Sequence, residues 1–145
     1  MRSLTPILMS AMLCFLAPGL ALAAAGGEKK EVTAQYVDLA PVALPVIVRG
    51  RVINYIFLKV RLDLASSADS TKLRTREPYF RDALIRAAHR TPFTDPKSYV
   101  RIDEARLKSV LLKEAGAIAG PRNFIGVTIE SQTPKQRSNL PKPQG

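Results

Sequence analysis

At 145 residues, 46% hydrophobic and 23% charged, the chain has material for one domain with a single core and excludes two. Its 22 lysines and arginines against 12 acidic residues give a formal net charge of +10, which draws anionic partners. One histidine and one cysteine exclude a disulfide within the chain and an ordinary zinc site.

Residues 1–23 read as a bacterial secretory signal peptide. Arg2 supplies the positive start, and no charge follows from Ser3 to Ala25. Leu4, Ile7, Leu8, Met9, Met12, Leu13, Phe15 and Leu16 form the apolar heart, and Pro18-Gly19 breaks it. Ala21-Leu22-Ala23 then has the small-x-small pattern that a signal peptidase needs, with the cut after Ala23. The rival reading is an uncleaved anchor over residues 3–25, long enough to reach across a bilayer. The break and the small-residue end favour cleavage. Under either reading the folded part is expected in the periplasm. The only cysteine, Cys14, lies in this stretch behind Leu13, a residue too bulky for lipoprotein cleavage. A cleaved chain therefore keeps no thiol for disulfides, nucleophilic catalysis or metal binding. Export also redirects the positive charge. Nucleic acid drops out, and anionic lipid, lipopolysaccharide, acidic polymer or an acidic protein surface takes its place.

Residues 24–34 are small or charged and predict a flexible lead-in. Tyr36 to Leu39 alternates as a strand, and Pro41 and Pro45 punctuate Val42 to Val48 as an edge strand or extended connection. After a turn at Arg49-Gly50 comes the strongest strand signal, from about Val52 to Leu64. Val52, Ile56, Leu58, Val60, Leu62 and Leu64 share one face with Asn54 as its sole polar member. The opposite face reads Ile53, Tyr55, Phe57, Lys59, Arg61 and Asp63, apolar only at its beginning. That pattern predicts half-buried antiparallel sheet.

Pro78 suits the first turn of a helix in which Phe80, Ala83, Leu84, Ala87 and Ala88 recur at three- and four-residue spacing. Residues 71–77 add a short preceding turn. Thr91 to Lys97, with Pro92 and Asp95-Pro96, reads as a loop. Asp103 is placed to cap a second helix with an inner stripe of Leu107, Val110, Leu111, Ala115 and Ile118, stopped by Gly120-Pro121. Asn123 to Ser131 returns to strand, with Ile125, Val127 and Ile129 on one face. Residues 133–145, rich in proline and basic side chains, read as a disordered basic tail. The order predicts an α+β domain over residues 35–132, a small antiparallel sheet with two or three helices packed on one face.

Several of these segments together resemble the flagellar basal-body-associated FliL family. They are YVDLAPV at 36–42, NYIFLKVRLDL at 54–64, PYFRDALI at 78–85 and FIGVTIESQ at 124–132. Tyr36, Leu39 and Pro41 match the family's opening, Tyr55 to Val60 its central strand, Pro78, Arg81 and Asp82 its helix, and Gln132 its closing strand. The chain differs in its cleavable start and its basic tail, which makes a secreted FliL-like relative the fitting label. The resemblance implies a stomatin/prohibitin-like fold, self-association, and a scaffolding role in motility at the flagellar basal body, around the stator. Its partners would be membrane or flagellar motor proteins, or copies of itself.

No constellation of catalytic residues stands out, and an enzyme is the weakest reading. His89 falls near a helix end, where an imidazole meets free carbonyls. Asp103-Glu104 opens a helix and opposes its dipole. Asp63 and Asp69 could bind calcium only with further ligands, and no glycine-rich phosphate loop is present. No cofactor and no metal is expected. The candidate interaction face is Ile53, Tyr55, Phe57, Lys59 and Arg61, an apolar patch running into basic residues. The expected function is a non-enzymatic scaffold of this kind. The alternative is a cationic periplasmic protein bound to anionic envelope lipid or polymer, unrelated to motility.

Overall fold

One long strand organises the domain. In the computed structural model, which describes residues 35–143, this strand runs from Arg51 to Leu64 and pairs along both of its edges. All described residues belong to one compact unit. The expected signal peptide, its cleavage residues Ala21 and Ala23, and the lead-in over 24–34 lie outside the described residues, as do residues 144 and 145.

The elements follow in the order β1 (Tyr36–Asp38), β2 (Val42–Val48), β3 (Arg51–Leu64), α1 (Ser70–Arg74), α2 (Glu77–Arg90), β4 (Thr94–Asp95), β5 (Ser98–Ile102), α3 (Glu104–Ala119) and β6 (Phe124–Pro134), with a 3-10 turn at Pro121–Asn123. All pairings are antiparallel. Phe57 stands opposite Ala43 of β2 and Thr133 of β6, and Asp63 stands opposite Tyr36 of β1 and Gly126 of β6. β1 and β2 therefore lie end to end on one side of β3, and β6 lies on the other.

The inner face of β3 is Asn54, Ile56, Leu58, Val60, Leu62 and Leu64, every one of them buried. Onto it pack Phe80, Leu84, Ala87 and Ala88 of α2 and Leu107, Leu111 and Ala115 of α3. Each of these large aliphatic side chains contributes about 1.5–3 kcal/mol by leaving water. Phe80 meets Phe124 edge to face, ring centroids 5.6 Å apart. The α+β architecture is thus an antiparallel sheet with three helices on its inner face. Local chemistry sets the helix ends. Asp69 and Asp103 accept the amides of Lys72 and Arg106, each at 3.0 Å, and cap α1 and α3. Gly120, at φ 94°, ends α3 in a conformation that favours glycine.

Four features depart from the sequence pattern. Val52, expected on the buried face, is 48% exposed, because the ladder skips Ile53: Val46 faces Asn54, but Ile47 faces Val52. That bulge reverses the alternation ahead of Asn54. Ile125, expected inward with Val127, is 71% exposed, because a second irregularity lies between the Asp63–Gly126 and Leu64–Phe124 pairs and Phe124 takes the buried place. The expected loop over 91–97 contains β4, which pairs with β5 in a small hairpin. Thr94 Oγ1 accepts the amide of Ile47 and donates to its carbonyl, both at 3.0 Å, so this hairpin is tacked onto β2. Finally, the expected disordered tail, set to start at Thr133, begins too early. β6 continues to Pro134, the Lys135 amide donates to the Tyr55 carbonyl at 2.8 Å, and Leu140 packs against the core.

Candidate interaction face

The helices cover only the inner face of the sheet. The outer face carries Tyr55, Phe57, Lys59, Arg61 and Asp63 of β3, flanked by Ala43 and Pro45 of β2 and by Thr128, Ser131 and Thr133 of β6. It is partly open: Tyr55 is 39% and Phe57 48% exposed.

This face has two halves. Toward the β2–β3 turn it is apolar, with Phe57 between Ala43 and Thr133, and Tyr55 opposite the buried Pro45. The Lys135 ammonium stands 5.9 Å from the Tyr55 ring centroid. Toward the other end Arg61 is the hub of a polar cluster. Its guanidinium reaches Asp63 and Glu130, each at 3.4 Å, and its central carbon lies 4.9 Å from the Tyr36 ring centroid. Thr128 donates to the second oxygen of Asp63 at 2.7 Å, and Lys59 stands 4.0 Å from Glu130. Exposed ion pairs contribute little stability, so the cluster mainly holds Arg61 in one orientation.

Of the five sequence candidates, the structure brings Tyr55, Phe57, Lys59 and Arg61 onto this common face. Ile53 leaves the set: at the bulge it is half-buried and packs against the core. Sequence reasoning missed Val52 and Ala43. The two-residue turn at Arg49-Gly50, which closes on Val48 and Arg51, would by itself set Ala43 opposite Ile56; the bulge at Ile53 moves it beside Phe57, and no local signal in the sequence marks that shift.

The groups weighed for chemistry are apart and engaged elsewhere. Asp63 is bonded to Thr128 and Arg61, while Asp69 caps α1. Glu104 pairs with Arg101 and Lys108 and accepts the side-chain amide of Gln132. His89 is exposed in the last turn of α2. Among the described residues no three of His, Cys, Asp or Glu are grouped to hold a metal ion, and no helix is long and apolar enough to cross a membrane. What this arrangement can do is present a flat, part-aromatic sheet surface with a fixed guanidinium beside it.

The sequence matches no family model and no curated protein.

Proposed function

We propose that this is a non-enzymatic, FliL-like periplasmic protein that works through protein contacts as a scaffold at the flagellar basal body or stator. The observation that supports it most is the outer sheet face, where two large aromatic side chains, Tyr55 and Phe57, are exposed over 39% and 48% of their surface. A protein contact buries such side chains readily, because aromatic anchors carry much of the energy of an interface. The resemblance of residues 36–42, 54–64, 78–85 and 124–132 to FliL proteins supplies the setting, with the stomatin/prohibitin-like fold and the self-association that it implies.

The test is an affinity pull-down of tagged protein from solubilised envelopes at low and high salt, for the parent and for Tyr55→Ser/Phe57→Ser. Stator or basal-body proteins retained at high salt by the parent and lost in the folded variant support the reading. Equal retention by both removes the face from it. Recovery of lipid or polymer alone, lost at high salt, sinks the motor assignment, since charge-driven binding weakens steeply with salt whereas an apolar contact does not.

A further inference from the structure

The tail and the β2–β3 turn meet at one end of the sheet. From Leu39 to Leu62, and again from Ser131 to Gly145, the sequence contains no acidic residue. The fold brings these two stretches together. Gln136 is bonded to Asn54, Leu140 packs on the core, and Pro141 and Lys142 come to lie beside the turn. Between them is an open notch of about 290 Å³, walled by Val52, Ile53 and Pro141 and rimmed by Arg49, Arg51 and Lys142.

Every charged residue that lines the notch is basic. None of its lining residues is acidic, and among the described residues no carboxylate pairs with Arg51, Arg137 or Lys142. Carboxylates do answer other basic side chains, among them Arg81 by Glu77, Arg86 by Asp82, Arg90 by Glu114 and Arg101 by Glu104. Holding a basic tail against a basic turn is unfavourable by Coulomb repulsion, and Asn54 and Leu140 hold it there nonetheless. The exposed aliphatic side chain beside these cations, Val52, adds an apolar contact at the same spot.

We propose that this end of the domain docks on an anionic phospholipid surface, with Arg51 and Lys142 reaching headgroup phosphates and Val52 dipping below them. Cations ringing an exposed apolar group are the pattern of interfacial attachment, in which charge attraction and apolar burial add. The site is separate from the Tyr55–Phe57 face and does not rest on the motor assignment.

The chain contains no tryptophan, so a single introduced indole reports its own surroundings. The full chain carrying Val52→Trp is mixed with phosphatidylcholine vesicles, with or without phosphatidylglycerol. Tyr79→Trp serves as the control. It lies in the first turn of α2, where Glu77 accepts the amide of Ala40 near the opposite end of the sheet. The Val52→Trp emission is expected to shift to the blue only with phosphatidylglycerol and to return at high salt, while the Tyr79→Trp emission stays unchanged. Reading the position of the probe separates this contact from any attachment through residues 1–34. In that background Arg51→Gln/Lys142→Gln is expected to weaken the response about twenty-five-fold, at roughly fivefold per cation. If the double variant loses its fold by circular dichroism, Lys142→Gln alone carries the test with about a fivefold loss. An absent shift, an equal shift with pure phosphatidylcholine, a shift at Tyr79→Trp instead, or an unchanged response in the charge variants overturns the proposal. A shift produced by inorganic phosphate but not by vesicles overturns it as well, in favour of a soluble anion.

Discussion

Asn54 holds Gln136 by both of its backbone groups: the side-chain amide donates to the Gln136 carbonyl at 2.9 Å, and the side-chain oxygen accepts the Gln136 amide at 3.0 Å. The same amide nitrogen donates to the Tyr99 carbonyl at 2.9 Å, and the oxygen also accepts the amide of Tyr55 at 2.9 Å. A side chain only 3% exposed thus has each donor and acceptor used, as a buried polar group must to avoid a desolvation penalty. It acts as a rung on the edge of β3 beyond the end of β6, joining the tail and β5 to the central strand.

Asn54→Ala leaves the Tyr99 carbonyl and the Gln136 backbone without these partners. We expect a loss of about 2 kcal/mol in urea unfolding, within the usual cost of unsatisfied buried groups. Trypsin should also cut sooner after Lys135 or Arg137 than in the parent. Unchanged stability and cleavage would show that the clamp is idle.

Phe57 and Leu58 are adjacent and face opposite ways, 48% and 1% exposed. Leu58→Ala is expected to cost about 2–5 kcal/mol through transfer and cavity terms. Phe57→Ala should cost under about 1 kcal/mol, the scale of a cross-strand pair. Denaturant midpoints of the two variants check the assignment of faces, and comparable losses would contradict it.

The turn between β2 and β3 places Arg49 at φ 51° and Gly50 at φ 74°, a two-residue turn with both central residues left-handed. A Cβ on Gly50 would have no heavy atom within 4 Å, so Gly50→Ala tests backbone conformation alone. The expected loss is about 1–2 kcal/mol. It should appear as a lower midpoint with an unchanged slope in urea.

Asp103→Ala removes the side-chain acceptor for the Arg106 amide and should cost about 1 kcal/mol. Asp82→Ala, which breaks only the exposed 3.1 Å pair with Arg86 one turn away on α2, should cost under about 0.5 kcal/mol. Thermal unfolding of the two variants under one buffer separates a cap from a surface ion pair.

Most of the sheet was legible because its signal is local. From Ile56 to Leu64 the alternation of β3 repeats without interruption, and burial follows it residue by residue. The two helices were legible for the same reason, since Leu107, Leu111 and Ala115 mark one stripe and Asp103 its start. The misses are non-local. The bulge at Ile53 arises where a two-residue turn must be reconciled with a register fixed farther along the ladder. Thr94 joins a sheet edge through a residue 47 positions earlier, and Gln136 is fixed by one 82 positions earlier. Asn54 in an otherwise apolar row was the single sign that something polar had to arrive there. Of the candidate face, Tyr55, Phe57, Lys59 and Arg61 followed from simple alternation, whereas Ile53 was lost to the bulge.

The bond between Thr94 and Ile47 has a consequence for how copies of this domain can meet. It shows that the Ile47 amide and carbonyl point away from β3. Residues two apart in a strand point the same way, so residue 45 also turns its backbone nitrogen outward, and there it is a proline without a hydrogen to give. The free side of β2 is therefore stoppered at two successive outward positions, one occupied and one without a donor. An incoming strand finds no ladder to extend, which closes the route to runaway fibre growth along this edge.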